Sequence, residues 1–372
     1  MTVVNQPLLQ QTAARQGVYT CAMASRPGWD FIAALDSDNT IALRSWETLQ
    51  PTPGRGPLHV DHTVAFQSEL LTALTADRQD THLLWTSGPT AGVLSYDLRT
   101  GQVAQRFAAH PDRVQSFDVN GEGLVAAGME LRQEDAKIVF WDVRQAGGAP
   151  VRTFADCHSD DVTQVKFHPT RGAALATGST DGLICLFNLA AAGSSSSAPA
   201  AAAQADSDGP NDDDDALYQV IKTQSVQSIG YFGPDDGYLW SLTHMEELNL
   251  FQFYEGQTLR ACGDIRRATQ SVALNADMSV CEEQTAQVPA FRAVNHGLDV
   301  RWARGSGQLQ LWAGTLTGDL CAFDVGTEQH FTWLGSLTGG HEDLIKGVAY
   351  HPDREDLVAS AGEEGRLCLW QL

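Results

Sequence analysis

One unit recurs along this chain about every 45 to 50 residues, and it is clearest in two places, His158 to Asn188 and His341 to Gln371. In the first copy, His158 precedes an alternating run (Val162, Val165, Phe167, His168, Pro169). Then come Ala174 to Gly178, a Ser179-Thr180-Asp181-Gly182 turn, and Leu183-Ile184-Cys185-Leu186-Phe187-Asn188. The second copy keeps that order: His341, Val348 to Pro352, Leu357 to Ala361, a turn through Gly365, and Leu367-Cys368-Leu369-Trp370-Gln371. Short apolar alternations separated by Gly/Asp turns read as strands. A unit of this size cannot bury its apolar face alone and must stack on copies of itself.

A third copy runs from His110 to Trp141-Asp142, and the aromatic that closes the third strand phases the rest. It falls at Tyr96, Trp141, Phe187, Phe251, Phe323 and Trp370, while the aligned position of the first copy is Arg44. The spacings are 52, 45, 46, 64, 72 and 47 residues, so seven copies are expected, two of them with loop insertions.

This order of histidine, strand, strand, acidic turn and closing aromatic resembles the WD40 repeat, which implies one four-stranded blade of a β-propeller per copy. The expected fold is therefore all-β, a single seven-bladed WD40 propeller over residues 1–372. The last copy stops after its third strand, so the segment from Val3 to Leu9 is expected to supply the missing outer strand and close the ring.

Charge narrows the partners. The formal net charge is −22, and setting aside the six aspartates at 206, 208 and 212–215 still leaves −16. Such a surface repels phosphate backbones, so direct nucleic-acid binding is not expected, and basic protein segments are the favoured partners. The seven cysteines are scattered with no C-x-x-C pair, which reads as reduced core residues rather than a disulfide framework or a zinc site. The first residues lack a charged and apolar leader pattern, and no apolar run is long enough to span a bilayer. An intracellular protein, nuclear or cytoplasmic, is expected.

Residues 190–215 are rich in alanine and serine and then in aspartate, with no aromatic. They read as a disordered insertion between the fourth and fifth blades, either a neutral loop, an acidic tether for a basic partner or a phosphorylatable serine patch.

Within a WD40 blade the resemblance implies a structural hydrogen-bonded set: histidine, second-strand hydroxyl, turn acid and third-strand aromatic. The candidates are His158, Thr177, Asp181 and Phe187 in the fourth blade, and His341, Ser360, Glu364 and Trp370 in the last. In the third blade they are His110, Asp135 and Trp141. Each set lies inside one blade, so these are not read as catalytic triads. Phosphate-loop, dinucleotide, metalloprotease and nucleophile-elbow patterns are absent from the sequence, and His244, His296 and His330 stand apart from any metal-ligand spacing. No catalytic residue, cofactor or metal ligand is expected.

The run from His158 to Pro169, the acidic 212–215 stretch leading into Leu217-Tyr218-Gln219-Val220, Ser228 to Phe232, and Thr243-His244-Met245-Glu246 resemble the WD repeat-containing protein 89 family, which implies a propeller with an interaction role. Two feature sets suggest how it would interact. Trp141-Asp142-Val143-Arg144, echoed by Tyr96-Asp97-Leu98-Arg99, is similar to the W-D-x-R box of propellers that serve as substrate receptors for cullin-4 ubiquitin ligases. That resemblance implies that Arg99 and Arg144, with Asp97 and Asp142, meet the damaged-DNA-binding adaptor, where a guanidinium fork can pair with carboxylates. A solvated turn arginine is the competing explanation. The second set is Asp112, Asp160, Asp161, Asp299, Glu342 and Asp343, which follow the loop histidines and would form an acidic rim gripping basic protein tails, as a chaperone-like or chromatin-associated binder. Equally, short acids cap such turns through their own backbone.

Overall fold

In the computed structural model each copy of the repeat supplies strands of two to eight residues, short because glycine- and aspartate-bearing turns interrupt the apolar runs. The residues described are 6–12, 17–50, 58–59, 73–88, 92–107, 112–145, 148–190, 216–269, 294–326 and 331–372. Their strands form seven antiparallel four-stranded sheets, the seven blades of a closed propeller. Blade 1 holds Thr20–Ala24, Phe31–Asp36, Thr40–Ser45 and Leu58–His59; blade 2 holds Ala73–Ala76, Leu83–Gly88, Gly92–Asp97 and Gln102–Phe107. Blade 3 comprises Val114–Val119, Leu124–Met129, Ile138–Asp142 and Arg152–Phe154, and blade 4 Gln164–Phe167, Ala174–Gly178, Leu183–Asn188 and Leu217–Lys222. Blade 5 comprises Val226–Phe232, Tyr238–Thr243, Glu247–Gln252 and Thr258–Asp264, and blade 6 His296–Ala303, Gln308–Gly314, Leu320–Asp324 and Thr332–Leu337. Within each, strands a to d run from the ring's centre outwards.

Blade 7 is completed from the other end of the chain. Ile345–Tyr350, Leu357–Gly362 and Arg366–Gln371 are its strands a to c, and Leu9–Thr12 is its strand d, with Leu9 opposite Leu369 and Thr12 opposite Arg366. Closure by the N-terminal region is as expected; among the described residues the paired strand is Leu9–Thr12, and the Leu8 N–H also donates to the Leu369 carbonyl at 2.7 Å. Leu8 and Leu9 of the expected Val3 to Leu9 segment therefore take part, while residues 1–5 lie outside the described residues. Leu9 packs on the blade 7–blade 1 core, so the strand's phase is set by that side chain.

The apolar side chains gather between blades, in seven buried clusters, one at each boundary. The closing aromatics form part of this packing: Trp141, Phe187, Phe251, Phe323 and Trp370 are fully buried, each worth about 1.5–3 kcal/mol in apolar transfer. No helix among the described residues is long and apolar enough to cross a membrane.

All strand pairs being antiparallel, the a–b and c–d turns share one face of the ring, called lower here, and the b–c turns and d–a loops share the upper face. The sequence repeat is offset from the blade, because strand d of each blade follows the closing aromatic and is read as the start of the next copy. For this reason the low-complexity segment, expected between blades 4 and 5, connects strands c and d of blade 4: Leu183–Asn188 and Leu217–Lys222 pair directly. Residues 191–215 themselves lie outside the described residues.

Candidate functional site

The two arginine boxes sit where strand c turns into strand d, on the lower face of blades 2 and 3. Their middle residues anchor them: Leu98 is buried in the blade 1–blade 2 core, and Val143 packs against the blade 2–blade 3 core. The Val143 anchor needs a glycine opposite, since a Cβ on Gly123, at φ 83°, would lie 2.7 Å from Val143 Cγ2. Each box then closes on itself. Asp97 Oδ1 accepts the backbone N–H of Arg99 at 2.8 Å and Nε at 3.0 Å, and Asp97 Oδ2 accepts Nη2 at 2.7 Å. Asp142 holds Arg144 in the same way at 2.9, 2.8 and 2.7 Å. Gln105 Nε2 in blade 2 donates to the Val143 carbonyl at 2.8 Å, tying the two turns together.

The guanidinium of Arg99 beside Asp97 holds that carboxyl down at about 2, and Arg144 likewise lowers Asp142. The aspartates are largely covered while the arginine side chains stay 60% and 76% exposed, so the cations are presented outward on fixed stems. The expected fork toward an adaptor is therefore already engaged by each box's own aspartate. A third unit of the same geometry, Asp264-Ile265-Arg266, lies at the end of strand d of blade 5, on the upper face. Its D-x-R pattern was legible in the sequence.

The six acids do not form one rim. Asp112 is buried, paired to Arg132 at 3.1 Å and near Lys137 at 3.8 Å. Asp161 Oδ1 accepts the N–H of Leu131 from the neighbouring blade at 2.7 Å, and Asp160 and Asp343 accept the N–H of the residue that follows each, at 2.8 Å. Glu342 is exposed and reaches Arg366 at 3.0 Å. Asp299 belongs to no loop: it lies inside strand a of blade 6, where a bulge at Leu298 shifts the register. There burial pushes its carboxyl up to about 6, only partly offset by the Val300 N–H, the Tyr350 hydroxyl and the cations Lys166 and Arg301.

The blade networks differ from one another. In blade 7, Trp370 Nε1 donates to Ser360 Oγ at 2.7 Å, Ser360 meets His341 Nε2 at 2.7 Å, and His341 Nδ1 meets Glu364 Oε1 at 2.6 Å. In blade 4, His158 lies between Thr177 Oγ1 at 2.8 Å and Asp181 Oδ2 at 3.1 Å, and Phe187 packs without an N–H to add. Burial raises the Asp181 carboxyl, but the His158 contact and the N–H groups of Leu183 and Ser159 leave it below its ordinary value. Gly182 makes that turn at φ 82°, where a Cβ would meet the Thr223 carbonyl at 2.8 Å. Blade 3 departs from expectation. His110 lies outside the described residues, Trp141 Nε1 is buried with no acceptor among them, and the Asp135 carboxyl sits beside Asp156 and is raised by burial and by that like charge. Blade 2 has a different bond, Trp85 Nε1 to Asp77 Oδ2 at 2.9 Å.

A staple near the lower ends of the inner strands was not foreseen. Arg78, after strand a of blade 2, donates to Asp118 Oδ2 of blade 3 at 2.6 Å and to the carbonyls of Phe167 and His168 of blade 4, each at 3.0 Å. Asp118 Oδ2 also accepts the Phe167 N–H at 2.8 Å. The only sequence signal is an acid, Asp118, between the apolar Phe117 and Val119 of its strand.

Seven four-stranded blades closed end to end, with the histidine–hydroxyl–acid set formed in blades 4 and 7, define the class: the chain is a seven-bladed WD40-repeat β-propeller. The family model described as WD domain, G-beta repeat matches residues 148–188 and 332–371, each beginning at or just before strand d of one blade and ending at strand c of the next. The chain is 29% identical to WD repeat-containing protein GTS1 of Arabidopsis thaliana, over 95% of this chain and 81% of that protein. It is 26% identical to the WD repeat-containing protein 89 homolog of Dictyostelium discoideum, over 78% of this chain and 69% of that one. Among solved structures, a chain of the crystal structure of a mitotic checkpoint complex has the same fold, with a TM-score of 0.69 at 13% identity over 100% of this chain and 93% of that chain.

Proposed function

We propose that this propeller is a non-catalytic scaffold that docks a protein adaptor through its lower face at blades 2 and 3, as a substrate receptor of a cullin-4 ubiquitin ligase. One observation carries the reading. Arg99 and Arg144 are held in matching geometry on adjacent turns of a single face, exposed and rigidly oriented. A long side chain fixed before binding loses little rotamer freedom on docking. Reading the upper face as a grip for basic tails has less support, because Asp112 and Asp161 are engaged inside the fold and Asp299 stands in an inner strand.

The experiment is co-purification of the damaged-DNA-binding adaptor with the intact chain and with Arg99→Ala and Arg144→Ala, normalised to folded protein. Capture by the intact chain and loss in the variants is the expected result. No capture by the intact chain removes the ligase reading and leaves the scaffold without an assigned face.

A further inference from the structure

The aspartate in each box changes what the arginine can recognise. Nε and Nη2 already face a carboxylate, so the donors left for a partner are the two N–H groups of Nη1 and the outer one of Nη2. The guanidinium charge is compensated within 2.7 Å, so a second carboxylate arriving at the outer edge would gain little from the cation and be repelled by the first. A neutral oxygen meets no such repulsion.

The molecule shows what a closed unit of this kind accepts. Arg266, held by Asp264 in the same geometry, donates Nη2 to the backbone carbonyl of Met245 at 3.1 Å. It does so although Arg267 stands 3.9 Å from the same carboxylate and leaves that unit more positive than the other two. We propose that Arg99 and Arg144 dock on backbone carbonyl oxygens of the partner, such as the open end of a helix or a loop, and not on its carboxylates. Asp97 and Asp142 then act as positioning residues that aim the guanidinium. This rests on the lower-face docking reading above.

The test measures the Kd of the purified adaptor for the full chain at 50 and 300 mM NaCl, with Asp97→Asn and Asp142→Asn alongside. Asparagine keeps an oxygen for the arginine's backbone N–H, so the turn is preserved, and circular dichroism checks the fold. Carbonyl docking predicts a change of less than about threefold between the two salts, because no net charge is neutralised. It also predicts that the asparagine variants bind several-fold more weakly, as the guanidinium loses its hold. Docking on carboxylates predicts the reverse on both counts: about tenfold weakening with salt, and tighter binding once the competing aspartate is neutralised. Either of those results overturns this proposal while leaving lower-face docking intact. Arg266→Ala, on the opposite face, should leave Kd unchanged. Absence of binding by the intact chain at both salts removes the docking reading and this one with it.

Discussion

Arg78 Nη2 meets Asp118 Oδ2 at 2.6 Å across the boundary between blades 2 and 3, and the same guanidinium reaches on to two carbonyls of blade 4. Asp118 is nearly covered, its side chain 6% exposed, and it also holds the Phe167 N–H. Replacing it by alanine removes the arginine's carboxylate partner, leaving it only the two carbonyls, and leaves the Phe167 N–H without its acceptor. Asp118→Ala should therefore cost up to about 3–5 kcal/mol, the range for breaking one partner of a fully buried pair, which the 27% exposure of Arg78 reduces, and the half-exposed Asp356→Ala under about 1 kcal/mol. Equilibrium urea denaturation of the two variants is the check, and equal midpoints would show the staple to be without energetic weight.

Blades 7 and 4 provide a paired test of the histidine network. Ser360→Ala strands both Trp370 Nε1 and His341 Nε2, whereas Thr177→Ala strands only His158 Nε2 because Phe187 presents no donor. At about 1–3 kcal/mol for each buried group left unpaired, the serine variant should lose roughly twice as much stability as the threonine variant. Denaturant midpoints in that order support the arrangement, and the opposite order contradicts it.

Removing residues 1–12 should expose the whole edge of Arg366–Gln371 and uncover the boundary where Leu9 packs. The expected outcome is concentration-dependent association in light scattering together with a lowered melting temperature. A truncated chain that stays monomeric at the melting temperature of the full chain would mean that these four residue pairs do not hold the ring shut.

Asp299 and Asp97 should respond to pH in opposite senses. The Asp299 carboxyl, raised to about 6 in the folded chain against about 4 unfolded, binds its proton more tightly when folded. Its stabilising contribution is full below pH 4 and is lost as pH rises through 6. Asp97, lowered to about 2, contributes above pH 4 and loses that contribution as pH falls toward 2. Asp299→Asn should flatten the stability profile between pH 4 and 6 and raise stability at pH 7.5. An unchanged slope in that window would place the titration on another group.

The number of blades was legible because the closing aromatics are local signals that repeat. Even Arg44, the one non-aromatic, occupies the matching register opposite Ile32, as Trp370 does opposite Val358. Two placements differ, each for its own reason. Repeat boundaries lie between strands c and d, so the segment after Asn188 reads as lying between blades when it connects two strands of one. The extent of the closing strand, by contrast, is set by Leu9 packing on the distant blade 7 core, which the N-terminal sequence does not show. The acids failed differently. Whether Asp112 or Asp299 faces water depends on Arg132, Lys137 and Tyr350, none of them its immediate chain neighbour. The Arg78 staple spans 40 and 89 residues of chain and has no local signature.

The pairing of Leu9 with Leu369 also fixes an order of events during synthesis. At ordinary translation rates, roughly 20–70 s separate the emergence of the two residues from the ribosome. Throughout that interval blade 1 has no seventh blade to lean on, and Leu9–Thr12 is an orphan strand in search of an edge. Any chaperone acting on this chain must keep that short segment from pairing elsewhere until the last strand has been made.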